Sequence, residues 1–336
     1  MERKTIRSLV TGISGFVASH LADYLLEKGE EVIGTYRWTE DLSRIAHIRD
    51  KIVMVPMDLL DLGSCIRCID GHRPDYIYHL AAQSYVDDSF VYPTLTIMTN
   101  TIGTLNLLEA VKMARDPAWT KLTDRPYAYD PIIHICSSSE VYGQVTEDEV
   151  PIKETAPFRP QNPYAVGKIG ADMIAYVYWQ CYKIKTIRTR MFTHTGPRRT
   201  MASAESSFAK QIARIEKGLQ KPVIKVGNLE SIRTFADVRD AVKAYYIMMR
   251  KCQPGEVYNI GGNRTMKVGE MLNCLISLSP MKDEIRVEVD PKLLRPSDVT
   301  LQIPDISKFV TETGWAPVIP FEKTMADLLQ WWREHV

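Results

Sequence analysis

A glycine-rich turn near the N-terminus constrains the fold of this chain more than any other feature. Thr5 to Val10 has the apolar character of a strand, and the turn Thr11–Ala18 follows it directly. Gly12 and Gly15 are three residues apart, and leucines at helical spacing come after them. The missing side chains let the backbone approach a pyrophosphate, while the helix N-terminus supplies N–H groups and a partial positive charge. The turn therefore predicts a strand–turn–helix unit that binds a dinucleotide.

Strands and helices alternate beyond this turn. Strand-like runs occur at Glu31–Tyr36, Ile52–Met57, Asp75–Leu80, Ile132–Ile135 and Lys185–Met191, with helical periodicity between them. Such alternation is typical of a parallel sheet with helices on both faces. We predict an α/β fold, a doubly wound parallel sheet, over residues 1–191. The less periodic remainder, 192–336, is predicted to form a smaller, partly interleaved substrate domain, with part of 234–262 returning to the first.

The ends of the next strands indicate which dinucleotide binds. The second strand ends in Arg37 and not in the acid that would hold a ribose 2′-hydroxyl, so this position fits a 2′-phosphate and predicts NADP over NAD. An exposed loop arginine is the alternative. After the third strand, Asp58-Leu59 places a carboxylate where it can accept from an adenine amino group. The small residues in Ala81–Ser84 let a cofactor lie against the backbone.

The stretch from Ser137 to Lys168 concentrates groups suited to catalysis. Tyr164 and Lys168 are four residues apart and share one helix face, where the ammonium would favour the ionised phenol and make it a base. Ser138 and Glu140 follow a predicted strand, at the edge where a parallel sheet presents side chains to a ligand. A tyrosine and a lysine at this spacing also occur by chance in helices, and the glycine turn favours the catalytic interpretation.

Composition excludes several classes of protein. The 336 residues include 42 Lys and Arg against 41 Asp and Glu, and a net charge of +1 gives no field to attract nucleic acid or an anionic membrane. No run approaches the roughly 18 apolar residues of a membrane span, and no signal-peptide segment is present, so we expect a cytoplasmic protein. Of six cysteines only Cys65 and Cys68 are close together, which predicts core thiols and no metal site.

Six ordered motifs resemble the extended short-chain dehydrogenases that modify nucleotide sugars. They are Thr11-Gly12-x-x-Gly15-Phe16, His79-Leu80-Ala81-Ala82-Gln83-Ser84, the Ser-Ser-Glu-Val-Tyr-Gly segment ending at Gly143, Tyr164-x-x-x-Lys168, Gly227-Asn228 with Arg233, and Arg295-Pro296. The resemblance covers nearly the whole chain and implies a Rossmann domain. Within the group, the sequence looks closest to the GDP-mannose 4,6-dehydratases and the GDP-4-keto-6-deoxy-mannose reductases.

The resemblance also implies a role for each site residue. Tyr164 would be the base on the sugar 4-hydroxyl, Lys168 would lower its pKa and bind the nicotinamide ribose, and Ser138 would bond the 4-oxygen. Glu140 would serve the carbon 5 proton and the carbon 6 hydroxyl. Further cofactor contacts are expected at Gly12, Ser14, Gly15, Phe16, Val17, Arg37, Asp58, Leu59, Leu80, Ala81, Ala82, Ser84, Thr99, His194 and Arg199. Substrate contacts are expected at Gln83, Ser139, Thr193, Lys210, Gly227, Asn228, Arg233 and Arg295, the two arginines clamping the diphosphate.

The motifs divide between the two subfamilies. Phe16-Val17-Ala18 replaces the dehydratases' usual Gln-Asp-Gly, and Thr193 replaces an asparagine, whereas Gly196–Arg199 is similar to a dehydratase loop. The segments Phe208–Ile212 and Val226–Leu229 look more like the reductases.

Three functions follow from the resemblance. The leading interpretation is an NADP-dependent GDP-sugar 4,6-dehydratase that recycles its hydride internally, acting on a hexose or a heptose. A 4-ketoreductase that consumes NAD(P)H is the alternative, and a non-catalytic dinucleotide-binding protein is the remote one. The resemblance also implies a homodimer or homotetramer, with Arg198-Arg199 reaching a neighbour's cofactor site.

Overall fold

Parallel strands organise the N-terminal part of the molecule. The structure, a computed structural model, describes residues 5–122, 128–294 and 298–336. Its strands are β1 (Arg7–Thr11), β2 (Glu31–Tyr36), β3 (Ile52–Pro56), β4 (Tyr76–His79), β5 (Ile132–Cys136), β6 (Lys185–Met191), β7 (His194–Thr195), β8 (Val223–Val226), β9 (Ile232–Asp237), β10 (Val257–Ile260), β11 (Arg264–Lys267), β12 (Arg286–Val289) and β13 (Leu301–Gln302).

Helices connect these strands. They are α1 (Phe16–Glu27), α2 (Leu62–His72), α3 (Val86–Val91), α4 (Pro93–Ile97), α5 (Gly103–Arg115), α6 (Pro117–Leu122), α7 (Pro163–Tyr182), α8 (Ala204–Glu216), α9 (Val238–Lys251), α10 (Val268–Ser277), α11 (Ser307–Thr313) and α12 (Phe321–His335). A π-helical turn, Met98–Ile102, joins α4 to α5.

The main sheet has the strand order β3-β2-β1-β4-β5-β6-β10, and each pair of neighbouring strands in it is parallel. This confirms the predicted α/β fold with a doubly wound parallel sheet. The order of strands reverses at β1, which lies between β2 and β4. Ligands of such sheets bind in the crevice outside the carboxyl ends of the strands at this point.

Helices bury both faces of the sheet. Leu9 and Val10 are neighbours in β1 and are both fully buried, but they belong to different apolar clusters on opposite faces. The helices α1 and α9 contribute to one cluster, and α2, α5 and α7 to the other. Burial on both faces explains why these strands read as nearly continuous apolar runs.

The chain leaves this sheet after β6 and later returns to it. The strand β9 pairs with β7, β11 and β13, β8 pairs with β12, and α8, α10 and α12 enclose a separate apolar cluster. After β9, however, α9 packs against α1, and β10 pairs with β6 with Val257 opposite Arg188. Residues from the C-terminal half therefore complete the edge of the first sheet.

Contacts from distant segments hold the start of α8, which begins at Ala204. The Ser206 hydroxyl donates to the Arg199 carbonyl at 2.7 Å and accepts from the Trp332 indole at 2.9 Å. Earlier in the chain, α6 ends at Leu122, and 123–127 lie outside the described residues.

The cysteine prediction is confirmed in part, because Cys65 and Cys68 are buried core thiols on α2. Across the described ranges, no three His, Cys, Asp or Glu residues converge on a metal-sized site. None of the helices in these ranges combines the length and apolarity needed to cross a bilayer.

Candidate active site

A cleft of about 1390 Å³ opens at the carboxyl ends of the main sheet and extends to the second domain. Of the site residues expected from the sequence, all that the structure describes line this cleft, with the exception of Lys210. Arg295 lies outside the described residues. The motifs are up to two hundred positions apart in sequence, so the fold brings them together.

The glycine turn forms one end of the cleft. Gly12 has φ of +67°, and a Cβ there would lie 3.0 Å from the Ala81 backbone. The Gly15 N–H donates to the Gly12 carbonyl at 2.9 Å, which closes the turn before α1. Within the described residues no side chain caps α1, and its first turn carries no acid. The open N–H groups and the helix dipole therefore suit an anion such as a pyrophosphate.

A buried polar chain positions the segment after β4. Thr104 donates to the Asn100 carbonyl at 2.7 Å, so His79 Nε2 donates to the Thr104 hydroxyl at 3.0 Å. His79 Nδ1 then accepts from Thr11, whose hydroxyl oxygen accepts from the Leu80 and Ala81 N–H groups at 3.1 and 3.0 Å. Burial lowers the pKa of His79 to about 3, which keeps the ring neutral in this role.

Asn100 extends this support to the next residue. Its side chain accepts from the Gln83 N–H at 2.9 Å and donates to the Gln83 carbonyl at 3.0 Å. The backbone of Leu80–Gln83, where cofactor and substrate contacts are expected, is therefore held by the side chains of Thr11 and Asn100.

Tyr164 and Lys168 lie on the first turns of α7, inside the cleft. Asn162 caps this helix by accepting from the Ala165 N–H at 2.8 Å, and Pro163 opens it. Burial raises the pKa of Tyr164, whereas the nearby Ser138 hydroxyl and Arg199 guanidinium oppose that rise.

Lys168 contacts the end of β5 and the ring of Tyr164. Its ammonium donates to the Cys136 carbonyl at 2.8 Å and lies 5.9 Å from the centroid of the Tyr164 ring. Burial lowers the pKa of Lys168. Ser138 and Arg199 oppose the raised pKa of the phenol, and the expected effect of Lys168 on that pKa stays a prediction.

Glu140 lies in the same cleft on the 3₁₀ turn after β5. Its Oε2 accepts from the Asn162 amide at 3.0 Å and its Oε1 from the Gln302 amide at 3.3 Å. The Ser138 hydroxyl oxygen accepts from the Glu140 N–H at 3.2 Å, which ties the two residues together. The Ser139 hydroxyl donates to the Gln302 side-chain oxygen at 3.0 Å, so Ser139 supports this arrangement from the cleft wall.

Phe16, His194 and Arg199 pack together in another part of the cleft wall. The His194 ring stacks on Phe16 with centroids 5.9 Å apart, and the Arg199 guanidinium lies 5.0 Å from the Phe16 centroid. Burial lowers the pKa of His194 to about 3, and its Nε2 is buried without a hydrogen-bond partner among the described residues. A buried polar atom at the cleft wall is a contact that a ligand can satisfy.

The loop Arg198-Arg199 binds its own chain. Arg198 pairs with Asp23 on α1 at 2.5 Å, and Arg199 Nε lies 3.2 Å from Glu205. Within this chain, carboxylates on α1 and α8 pair with the two guanidinium groups, and the expectation that the loop reaches a neighbour's cofactor site stays a prediction.

The second domain supplies the far end of the cleft. Gly227 is required there, since a Cβ would lie 2.6 Å from the Leu293 carbonyl. Asn228 donates to Asp298 at 3.0 Å, and Arg233 lies 3.6 Å from the same carboxylate. Thr193 uses its carbonyl to accept from the Ala236 N–H at 2.9 Å, which leaves its side chain in the cleft wall.

Lys210, which is expected to contact substrate, is not among the residues that line the cleft. Its ammonium contacts the sulfur of Met201, a residue of the cleft wall, at 2.7 Å and lies 5.0 Å from the Trp332 ring. The same helix places Ser207 in the cleft wall.

Sequence reasoning missed four residues that bond to the expected ones. Asn162 and Gln302 hold Glu140, and Glu40 and Arg44 lie beside the glycine turn. The Asn-Pro pair before α7 is a helix-start signal that would have identified Asn162 as a cap. The sequence does not indicate that Gln302 contacts Glu140, because Gln302 lies on β13, 162 positions away.

The sheet order, the glycine turn and the Tyr164–Lys168 pair together define a Rossmann-fold enzyme of the extended short-chain dehydrogenase class. The family model of GDP-mannose 4,6 dehydratase matches residues 9–328, and the chain belongs to this family.

Two curated relatives and one solved structure illustrate the similarity. A GDP-6-deoxy-D-mannose reductase of Pseudomonas aeruginosa is 32% identical over 334 residues, which are 99% of each chain. A GDP-mannose 4,6-dehydratase of Yersinia enterocolitica is 32% identical over 359 aligned positions, covering 96% of this chain and 92% of its own. The structure of RMD from Pseudomonas aeruginosa complexed with NADPH has a TM-score of 0.80 at 29% identity, covering 99% of this chain and 100% of that chain.

Proposed function

We propose that this chain is an NADP-dependent GDP-sugar 4,6-dehydratase, which converts GDP-mannose or a related GDP-hexose or GDP-heptose to the 4-keto-6-deoxy sugar with loss of water. The observation that carries the proposal is Glu140, a carboxylate held by two amides on the turn that also positions Ser138. Family membership and the Yersinia enterocolitica dehydratase support the same reaction.

The cleft fits a dinucleotide. Gly12 and Gly15 leave backbone space that a Cβ would fill, α1 offers uncapped N–H groups, and His194 Nε2 is a buried polar atom without a partner among the described residues. Arg37 at the end of β2 and the NADPH of the Pseudomonas aeruginosa relative favour NADP over NAD. When bound, the nicotinamide supplies a hydride acceptor for sugar carbon 4 and returns that hydride to carbon 6.

Tyr164 acts first in the proposed mechanism. Its phenolate takes the proton of the sugar 4-hydroxyl, and the nearby Ser138 hydroxyl holds the 4-oxygen beside it. Lys168 lies near Tyr164 with its ammonium at the end of β5, where it binds the cofactor ribose. Arg199 adds a positive charge that favours the ionised phenol.

Glu140 performs the elimination. A 4-keto group acidifies the proton on carbon 5, and the carboxylate removes it. The same carboxyl group, now protonated, gives its proton to the carbon 6 hydroxyl, which leaves as water. Carbon 5 takes up a solvent-derived proton as hydride is returned to carbon 6, which completes the 4-keto-6-deoxy sugar. Asn162 and Gln302 fix both oxygens of the carboxylate, so they keep Glu140 oriented through two proton transfers.

A 4-ketoreductase is the second candidate, because the Pseudomonas aeruginosa reductase matches 99% of both chains. In that reaction Tyr164 donates its proton to the 4-keto oxygen, and Glu140 only positions the sugar.

Cofactor stoichiometry separates the two reactions. We expect GDP-mannose to give the 4-keto-6-deoxy product, detected by mass spectrometry, with a catalytic amount of NADP⁺ and no net change at 340 nm. In deuterated water, the product gains deuterium at carbon 5. If product forms only from a GDP-4-keto sugar and consumes one NADPH per turnover, the dehydratase proposal is wrong and the reductase replaces it.

We also propose a cytoplasmic homodimer or homotetramer. Leu95, Met98 and Ile102 form an exposed apolar stripe at helical spacing from α4 through the π turn, and Val166 and Val177 are exposed on α7, which packs against α4 and the π turn. An exposed stripe of this kind suits an isologous contact with a second copy.

A further inference from the structure

The carboxylate of Glu40 lines the cleft beside Arg37, the cation expected to bind a 2′-phosphate. Glu40 follows β2 and accepts from the Ser14 hydroxyl at 2.6 Å through Oε2. Its Oε1 accepts from Arg37 Nε at 2.9 Å. Ser14 belongs to the glycine turn, so Glu40 joins that turn to the end of β2.

Glu40 is more buried than the arginine that it binds. Its side chain is 21% exposed, whereas that of Arg37 is 60% exposed. Both residues line the cleft together with Ser14. The Arg44 guanidinium also lines the cleft, where it donates to the carbonyls of Ser14 at 3.3 Å and Arg198 at 3.0 Å. The carboxylate of Glu40 therefore uses the two donors, Arg37 and Ser14, that a phosphate at the end of β2 would need.

The two kinds of dinucleotide meet this carboxylate differently. A ribose 2′-hydroxyl can donate to a carboxylate at the end of the second strand, which is the usual basis of NAD selection. A 2′-phosphate carries up to two negative charges and is repelled by a carboxylate at short distance. It also has to displace Glu40 before Arg37 and Ser14 can bind it.

We propose that Glu40 is a specificity-determining residue that opposes dinucleotides with a 2′-phosphate and favours those with a 2′-hydroxyl. It acts against Arg37, and the balance of the two side chains sets the preference of this chain for NADP over NAD. The inference rests on the proposed use of a dinucleotide and concerns only the choice between the two forms.

The test measures binding directly, by titration calorimetry of NADP⁺ and NAD⁺ with the purified chain and with Glu40→Gln. We expect the variant to bind NADP⁺ about tenfold more tightly, because a like charge is removed and Arg37 is released. NAD⁺ should bind about threefold more weakly, because a neutral amide replaces a charged acceptor. Arg37→Ala should move the ratio of the two dissociation constants in the opposite direction.

Two fragments isolate the ribose from the rest of the cofactor. Adenosine 2′,5′-bisphosphate and adenosine 5′-monophosphate differ only in the 2′-phosphate, and Glu40→Gln should strengthen binding of the first alone. The matched control is Asp41→Asn, which removes the same formal charge one residue away. Asp41 bonds the N–H and hydroxyl of Ser43, so its replacement should change the NADP⁺ to NAD⁺ ratio by less than about threefold.

The outcomes are distinguishable. If Glu40→Gln and a second variant, Glu40→Ser, leave the ratio of dissociation constants unchanged while both dinucleotides bind, this inference is overturned and the proposed function stands. An equal shift from Asp41→Asn overturns it too, because general charge then explains the effect. If the unmodified chain binds neither dinucleotide, the proposed function itself fails.

Discussion

Glu140 distinguishes the two candidate reactions at the scale of a single residue. If it transfers two protons, Glu140→Gln should keep the fold and cofactor binding and lose product formation by about 10²–10⁴-fold, the usual contribution of general acid–base steps. A positioning role alone would cost about tenfold, on the order of one neutral hydrogen bond. The measurement is the rate of 4-keto-6-deoxy product formation from GDP-mannose.

A carboxylate on the same loop serves as the control for this change. Glu149 binds Arg159 at 2.7 Å outside the cleft, so Glu149→Gln should alter the rate by less than about twofold. Retention of most activity by Glu140→Gln, together with no deuterium at carbon 5 in the unmodified enzyme, would exclude the dehydratase.

Ser138 controls the ionisation of Tyr164. Burial raises the pKa of Tyr164, and the nearby Ser138 hydroxyl opposes this rise. A base with a raised pKa is active in its deprotonated form, so activity should increase with pH above neutrality. Removing the donor in Ser138→Ala should move that rising limb to higher pH and reduce the rate at pH 7 about tenfold. Ser138→Thr keeps a hydroxyl and should restore the profile, and an unshifted limb in Ser138→Ala would contradict this role.

At the scale of an element, the start of α7 links stability to catalysis. Asn162 accepts from the Ala165 N–H and donates to Glu140 with the same side chain. Asn162→Ala removes both bonds and should lower the free energy of unfolding by about 1 kcal/mol, as for other N-cap losses.

Asn162→Asp separates the two roles of this residue. Aspartate is an equally good cap, so stability should stay within about 0.5 kcal/mol of the unmodified chain, but a second carboxylate then faces Glu140. We expect product formation to fall at least tenfold, while the urea concentration at the midpoint of unfolding stays the same as in the unmodified chain. Equal activity in Asn162→Asp and the unmodified chain would show that the Glu140 contact is dispensable.

Buried histidines link the stability of the whole molecule to pH. Burial lowers the pKa of His20 to about 4 and the pKa values of His79, His134 and His194 to about 3. The unfolded chain takes up these protons near pH 6.5, whereas the folded chain does not until near pH 3 to 4. The resulting stability is fully present above about pH 6.5 and is lost as the pH falls from there. Each such histidine lowers the free energy of unfolding by up to about 1.4 kcal/mol for each pH unit below this value.

Urea unfolding at pH 7.0 and 5.5, at one protein concentration, measures this loss. We expect a lower unfolding midpoint at pH 5.5, and a smaller difference between the two pH values in His79→Asn, which removes one of the titrating groups. A midpoint that is the same at both pH values would contradict the neutral state of these rings.

The apolar stripe makes the assembly of the whole molecule testable. Leu95 is 49% exposed on the stripe, whereas Val318 is 70% exposed elsewhere on the surface. Sedimentation at micromolar concentration should show a dimer or a tetramer for the unmodified chain, and Leu95→Glu should dissociate it. Val318→Glu is the control and should leave the sedimentation unchanged. A monomer for the unmodified chain would rule out the proposed assembly.

The sequence by itself determined most strands of the main sheet and the candidate site residues at their carboxyl ends. Strands buried on both faces give continuous apolar runs, so β2 and β6 were predicted with the bounds that the structure has. Gly12, Tyr164 and Lys168 were recognisable because helix and turn geometry fixes their spacing within a few residues. Short-range geometry of this kind is encoded locally and does not depend on how the domains pack.

Only the tertiary structure decided which groups surround those residues. Gln302 reaches Glu140 across 162 positions, and β10 joins β6 after an excursion through the second domain. The lysine expected to lower the Tyr164 pKa binds the Cys136 carbonyl, and Lys210 on α8 contacts Met201. Glu40 takes up the donors that Arg37 and Ser14 were expected to offer a phosphate. Each of these outcomes depends on packing between segments distant in sequence, because side-chain partners are chosen by the space and charge that the assembled fold leaves around them.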